Sequence, residues 1–331
     1  MAENTKIQWT DRTASPWHGC TKIAPGCDNC YAAAGALRNP KTLGVWGDDG
    51  VRVKSRSFIG KLYDWNRRAM KAGKTISVFP SICDPFEDRP ELVPWREEMF
   101  DAIDQCPHVR LLLLTKRPEN ITSMWPVVDA TTMSRNVKYG RAGSWRANIY
   151  LVTSVSEQAT VDRNIPLLLQ CRDLVPMLGV SAEPLLAPVD FTALDIDGGR
   201  TLLNSLTGEL TDTKTSRRCG EIGALDWVIV GGECGPKARP CNLEWIRSIR
   251  DQCQAAGVPC FVKQLGANVQ GVERCWRCGH FDLAPVDGGP PLCNGCDAVC
   301  NRLRDSKGGD PSEWSEDLVV RQFPQAYSHA L

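Results

Sequence analysis

The chain has 331 residues, 42% hydrophobic and 24% charged, a globular mixture rather than a disordered or fibrous one. Its 39 Lys and Arg balance 39 Asp and Glu, so no global field draws it toward nucleic acid or a membrane surface, although a local basic patch stays open. Sixteen cysteines stand out, half of them in two groups: Cys20, Cys27, Cys30, and Cys275, Cys278, Cys293, Cys296, Cys300.

The opening MAENTKIQWTDRT lacks the basic-then-apolar pattern of a secretory signal, and the longest apolar runs are strand-sized. A soluble cytoplasmic protein without a membrane segment is expected. In a reducing compartment clustered cysteines point to metal rather than disulfides, and most of the scattered ones read as small buried hydrophobes. The first group sits in 18-HGCTKIAPGCDNCYA-32 with the spacing C-x6-C-x2-C. Structural zinc prefers four protein ligands, so zinc here would need His18 or a remote cysteine as the fourth. A [4Fe–4S] cluster, normally on four cysteines, can instead take an exogenous ligand on its fourth iron.

Six apolar runs follow, each ending in polar residues: 75-TISVFPSICDPFED-88, 109-VRLLLLTKRPEN-120, 148-NIYLVTSVSEQ-158, 174-LVPMLGVSAEPL-185, 225-LDWVIVGGECGP-236 and 257-GVPCFVKQLG-266. Such runs suit strands buried on both faces of a parallel sheet. Helical spacing falls between them, over 60–73, 91–106, 158–171 and 242–257, the last closed by glycine. The alternation predicts an α/β fold: a partial or complete parallel β/α barrel (TIM-like), with a doubly wound sheet as the alternative. The barrel is favoured because it gathers the strand-end residues at one mouth. Those residues are Ser81, Asp84, Lys116, Arg117, Ser154, Glu157, Glu183, Glu233 and Lys263.

The stretch from about 190 to 223 is polar and Gly-rich and reads as a long loop or lid. The expected organisation is a barrel over 1–270, a cysteine-rich module over 271–305 and a tail over 306–331 that packs back on the barrel. The module, 275-CWRCGHFDLAPVDGGPPLCNGCDAVC-300, contains C-x2-C-x14-C-x2-C, the double knuckle of a zinc ribbon. It predicts zinc on Cys275, Cys278, Cys293 and Cys296, with a second iron–sulfur cluster drawing on Cys300 or His280 as the alternative. Arg274, Arg277, Arg302 and Arg304 with Trp276 suit either nucleic-acid contact or a solvated charged surface.

The three-cysteine loop ahead of a β/α barrel resembles the radical S-adenosylmethionine (radical SAM) superfamily. More narrowly, 18-HGCTKIAPGCDNCYA-32, 113-LLTKRPEN-120, 181-SAEPLLAPV-189, 226-DWVIVGGECGPKARP-240 and 262-VKQLG-266 resemble a little-characterised family of phage and bacterial proteins. Two details depart from the superfamily. Its commonest spacing is C-x3-C-x2-C, and its usual aromatic residue before the third cysteine is Asn29 here, with Tyr31 following.

The resemblance implies a [4Fe–4S] cluster on Cys20, Cys27 and Cys30, with S-adenosylmethionine chelating the fourth iron. Reduction by a flavodoxin- or ferredoxin-type donor then yields methionine and a 5′-deoxyadenosyl radical that abstracts hydrogen from substrate. It assigns Tyr31, Ser81, Asp84, Lys116, Arg117, Ser154, Glu157 and Arg163 to the cofactor, and Glu183, Glu233 and Lys263 to the catalytic side. The Gly-Gly-Glu usual on the second strand is absent there and occurs at Gly231, Gly232 and Glu233. Phage-borne kin imply the host cytoplasm and a nucleobase or nucleotide substrate, with base-modified DNA the leading form and isomerisation of a base substituent the leading reaction. The competing classes are a non-catalytic zinc-binding, nucleic-acid-interacting protein and an S-adenosylmethionine-dependent methyltransferase.

Overall fold

The computed structural model describes residues 5–39, 41, 44–127, 137–140, 143–272, 275, 277–280, 283–286 and 289–325. Seven strands form its main sheet: β1 (Arg12–Thr13), β2 (Ile76–Phe79), β3 (Val109–Thr115), β4 (Ile149–Val155), β5 (Met177–Ala182), β6 (Trp227–Gly231) and β7 (Cys260–Gln264). All six pairings are parallel, and the strands lie side by side in sequence order. A doubly wound sheet reverses its order at a switch point. This one never does.

A uniform right-handed crossover puts every connection on the same side. Helices α1 (Tyr31–Arg38), α2 (Phe58–Lys71), α3 (Val93–Asp104), α4 (Gln158–Leu169) and α5 (Leu243–Ala256) supply most of them. Strand side chains alternate between faces, and one face, through Leu111, Leu113, Leu151, Val180, Val228 and Val262, shares a core with Leu62, Met99, Ile165 and Ile249 of the helices. The other face carries Leu112, Tyr150, Val152, Met177, Trp227, Ile229 and Phe261, which form a separate core with Trp9 and Phe79.

That second core reports the curvature. Trp9 packs on Phe79 of β2 and on Trp227 of β6, with ring centroids 4.6 Å and 6.3 Å away. In a flat sheet those strands, four steps apart, would be separated by about 19 Å. The sheet is therefore a curled half-barrel with an aromatic interior. Among the described residues no pairing closes the complete barrel allowed by the sequence: within the sheet β1 pairs with β2 and β7 with β6, and β1 contributes two residues. The tail covers the free edge of β7, where Val262 N donates to Val320 O (2.8 Å) and Phe323 stacks 5.6 Å from Trp227.

The stretch expected to be a long loop is instead a four-stranded antiparallel sheet of Leu194–Asp195, Thr201–Leu203, Glu209–Asp212 and Arg217–Glu221. Its polar, glycine-rich character is the chemistry of tight turns. The Asp195 and Asp197 carboxylates accept from the backbone N–H groups of Gly199 and Thr201, each at 2.7 Å. Gly208 has φ +80°, and a Cβ there would lie 2.0 Å from the Ile222 carbonyl oxygen. Helix α5 ends as expected, on left-handed Gly257. No described helix is long and apolar enough to cross a membrane.

Candidate functional site

The loop 18–32 spans the C-terminal ends of the strands and roofs the mouth of the half-barrel. At the β2 end Gly19 bridges to Cys83, and the Tyr31 hydroxyl, following Cys30, donates to Ser81 O at 2.8 Å. At the β3 end Arg117 Nη2 donates to Thr21 O (2.9 Å), and its Nη1 lies 3.6 Å from Cys20 Sγ. Gly26 packs against Ser156 and Pro184 beyond β4 and β5. At the β6 end Asn29 donates to Glu233 Oε2 (3.0 Å) and to Lys237 O (2.8 Å). The loop thus brings Cys20, Cys27 and Cys30, all partly exposed, to one mouth.

Buried charges hold that roof. Arg52 and Glu87 form a pair 2.6 Å apart with side chains 0% and 3% exposed. Arg52 also donates to Val45 O, Gly50 O, Gly47 O and Thr21 Oγ1, while Glu87 accepts from Thr21 N. Burial works against charge on Glu87, but Arg52 outweighs it and holds the carboxyl below its ordinary value. Neither residue was singled out from sequence. Beside them a polar cavity of about 310 Å³ is lined by Thr21, Asp48, Glu87, Asp88, Arg89 and Arg117.

Asp84 and Arg117, expected at the cofactor, pair with each other at 2.7 Å and are buried. Asp84 further accepts from Thr115 Oγ1 (2.6 Å), Phe86 N (3.0 Å) and Lys116 N (3.2 Å). Burial opposes the Arg117 charge, yet Asp84 and Cys20 beside it raise its pKa. Burial first, then Asp84, pushes the Cys20 thiol up to about 12 against the opposing pull of Arg117. The geometry thus makes Asp84 a support for Arg117, and Arg117 a clamp on Cys20 and Thr21. The Lys116 ammonium is half-buried and makes no hydrogen bond or ion pair among the described residues.

The remaining expected residues separate. Ser154 Oγ donates to Glu183 O at 3.0 Å, and Lys263 Nζ lies 2.9 Å from Glu183 Oε1. Glu233 is gripped by Arg239, Nη2 on Oε1 (2.6 Å) and Nε on Oε2 (3.0 Å). Glu157 instead caps α4 in a capping box with Thr160. Arg163 pairs with Glu119 (2.8 Å) and is 54% exposed, on the side of α4 away from its buried positions Val161, Asn164 and Ile165. Most of the scattered cysteines were expected to be small buried hydrophobes; Cys83, one of these, is partly exposed, as is Cys234.

The second cysteine group closes tightly. The Sγ atoms of Cys275, Cys278, Cys293 and Cys296 all lie within 4.8 Å of one another, with Cys275–Cys296 at 3.6 Å and Cys278–Cys293 at 3.4 Å. A tetrahedral ion with bonds of about 2.3 Å sets its sulfurs about 3.8 Å apart. Each knuckle turns a backbone N–H onto its first sulfur, Arg277 N to Cys275 (3.4 Å) and Gly295 N to Cys293 (3.3 Å). Four cysteines at this spacing can hold a metal ion. Cys300 is buried beside them with its thiol donating to Ala298 O (3.4 Å), and His280 Nδ1 lies 3.9 Å from Cys278 Sγ. Arg274 and Trp276 fall outside the described residues.

Fold and site together define an open parallel β/α half-barrel roofed by a three-cysteine loop and followed by a module whose four clustered cysteines can hold a metal ion. The chain belongs to the family described as protein of unknown function DUF5131, which matches residues 4–308. No curated protein and no solved structure matches it.

Proposed function

We propose that the protein is a radical SAM enzyme, with Cys20, Cys27 and Cys30 holding a [4Fe–4S] cluster whose fourth iron binds S-adenosylmethionine. The observation that carries this is the cysteine loop lying across the C-terminal mouth of a sequentially ordered parallel half-barrel. Three soft thiol donors, partly exposed and with no fourth in the motif, fit a cluster that keeps one iron open. They also stand apart from the single-ion spacing reached by the other four cysteines. When bound, such a cluster supplies the electron that cleaves S-adenosylmethionine to methionine and a 5′-deoxyadenosyl radical.

The chain's own residues then have distinct tasks. Arg117 and Asp84 hold Cys20, Arg52 and Glu87 hold Thr21, and Glu233 with Arg239 holds Asn29 between Cys27 and Cys30. Tyr31, Ser81 and Lys116 line the cofactor side. Glu183 and Lys263 stand on the interior beneath, where they meet substrate. The four-cysteine module takes zinc, since its sulfur spacing suits one ion, whereas a four-iron cube spreads its ligands over separate irons. The substrate is a nucleobase or nucleotide, base-modified DNA in the leading form, and isomerisation of a base substituent the leading reaction. A base in duplex would be flipped out to reach the mouth, at a cost of a few kcal/mol.

The test is one chromatogram of the nucleosides formed from S-adenosylmethionine by the anaerobically reconstituted, reduced protein. 5′-Deoxyadenosine, lost in Cys27→Ala, is expected. S-Adenosylhomocysteine would make the protein a methyltransferase, and an unchanged cofactor would leave a zinc-binding, non-catalytic protein.

A further inference from the structure

One cation on the inner side of the half-barrel carries donors that nothing accepts. The tail runs antiparallel to β7 with Arg321 opposite Phe261, and its backbone is pinned on both sides of that residue. Val262 N donates to Val320 O (2.8 Å), Gln322 N to Cys260 O (2.9 Å), and the Trp227 indole N–H to Gln322 O (2.9 Å). Directly opposed residues of an antiparallel pair send their side chains to the same face. Arg321 therefore shares the inner face with Phe261, a member of the aromatic core there. Its guanidinium carbon lies over the Phe261 ring at 5.5 Å and over the Trp314 ring at 5.3 Å.

The rings meet the charge but not the N–H groups, which lie in the guanidinium plane. Nε and Nη2 are buried, and neither has a hydrogen-bond acceptor. These two nitrogens form one edge of the group, the parallel fork that takes two oxygens of a carboxylate or phosphate at once. Nη1 makes no bond among the described residues either, and it is the nitrogen left open to solvent. No described carboxylate pairs with Arg321. In the same segment Asp317 is engaged with Arg247 and Arg250, and Glu313 accepts from Asp305 N (3.1 Å). On the same face of β7, the Lys263 ammonium is already matched by Glu183. Burial lowers the Arg321 pKa, as it does for a cation with no compensating charge.

A buried charge without a partner costs free energy, so a fold that pins one in place calls for an occupant. We propose that Arg321 anchors an oxyanion site at the β7 edge of the half-barrel, its Nε–Nη2 fork receiving two oxygens of a phosphate or carboxylate group. A neutral hydrogen-bonding ligand would fill the acceptor gap but leave the charge unmatched; an oxyanion answers both. An anion entering from solvent meets Nη1 first, and a turn of the long side chain presents the fork. The pinned backbone holds the arginine in place before anything binds, which lowers the ordering cost of binding. The group has two possible sources, the phosphate of a nucleotide or the carboxylate of a smaller molecule. The site goes beyond the cluster reading above and requires neither cluster nor turnover, so either can fail without the other.

The experiment is calorimetric titration of the full chain, at low ionic strength, with inorganic phosphate, deoxyadenosine monophosphate, acetate and uncharged deoxyadenosine. Saturable binding of at least one oxyanion is expected, with deoxyadenosine silent. Arg321→Met should weaken it by about tenfold or more, and Arg321→Lys, which keeps the charge but not the fork, nearly as much. Tightest binding of phosphate or the nucleotide assigns the site to a phosphoryl group; tightest binding of acetate assigns it to a carboxylate. Without anion, Arg321→Met should melt at the same temperature as wild type or higher, because it removes an uncompensated charge. The anion that binds should raise the melting temperature of the wild type and not of the variant. Absence of any oxyanion binding at millimolar concentration would overturn the proposal. So would binding that survives Arg321→Met, deoxyadenosine binding as tightly as its phosphate, or a variant that melts lower before any anion is added, which would make the guanidinium a structural group.

Discussion

Replacing Arg52 by methionine removes the guanidinium that joins the cysteine loop, the 45–50 turn and Glu87. The side chain is fully buried, and it donates to both Glu87 oxygens, at 2.6 Å and 2.9 Å, as well as to three backbone carbonyls and the Thr21 hydroxyl. Glu87 would keep Thr21 N as its donor and lose its counter-charge. Removing one partner of a buried pair costs about 3–5 kcal/mol, because the other charge is left uncompensated. At roughly 2.1 cal/mol/K of unfolding entropy per residue, that corresponds to a fall in melting temperature of about 4–7 °C. Arg52→Met combined with Glu87→Leu should recover most of the loss, since an apolar pair needs no compensation.

The pH dependence has a definite sign. Glu87 is held below its ordinary pKa, so its ionised form stabilises the fold above the carboxylate range, and that contribution disappears as pH falls through the lowered value. The gap between wild type and Arg52→Met should therefore be widest near neutral pH and shrink in acid. Scanning calorimetry from neutral pH into the acid range tests this. A gap that stays constant with pH, or a double variant no better than the single one, would refute the pairing as the source of stability.

Metal analysis should find one ion per chain that persists when Cys20, Cys27 and Cys30 are all replaced by alanine and is lost in Cys278→Ser or Cys293→Ser. Gly231→Ala should cost about 1–3 kcal/mol in thermal or chemical unfolding, because its new methyl would lie 2.8 Å from Glu183 Oε1 and 3.0 Å from the Gln264 carbonyl oxygen, which is backbone and cannot swing away. Glu233→Gln should destabilise by about 1–2 kcal/mol through loss of the Arg239 grip. Burial opposes charge on Glu233, but Arg239 and Asn29 prevail and lower its pKa, so this difference too should fade as pH drops below the carboxylate range.

Much of the scaffold was legible because it is written locally. Each of the six apolar runs contains a strand, and the four helical patterns fall on α2 to α5. The Cys-x2-Cys knuckles reach single-ion spacing because two residues between thiols leave the backbone one way to turn N–H groups onto sulfur. The position of Arg163 was also readable: Val161, Asn164 and Ile165 define the buried side of α4 and exclude it. Partnerships across the fold were not readable. Arg52 and Glu87 are 35 residues apart, and Asn29 and Glu233 are 204 apart, so nothing in either segment announces the other. Curvature escaped for a related reason. Whether a sequential parallel sheet closes depends on its edges, and β1 has only two residues with which to meet β7.

The two strand-end carboxylates looked equivalent in the sequence, each following an apolar run and each expected near substrate. The structure separates them by their bonding. Glu233 accepts from Arg239 Nε, Nη2 and backbone N and from Asn29 Nδ2, so both oxygens are occupied. A carboxylate in that state gains little from a ligand and loses much if it lets go; its task is to fix Asn29, and with it the span between Cys27 and Cys30. Glu183 has Ser181 Oγ on Oε2 (3.2 Å) and the Lys263 ammonium 2.9 Å from Oε1, one contact to each oxygen. Of the two, Glu183 is the less heavily bonded. The same division applies to the cations: Arg117 and Arg239 are committed to the roof, whereas among the described residues the Lys116 ammonium has no hydrogen bond or ion pair and Lys263 has the single contact with Glu183. The arginines build the site, and on the reading proposed above the lysines with Glu183 meet what enters it.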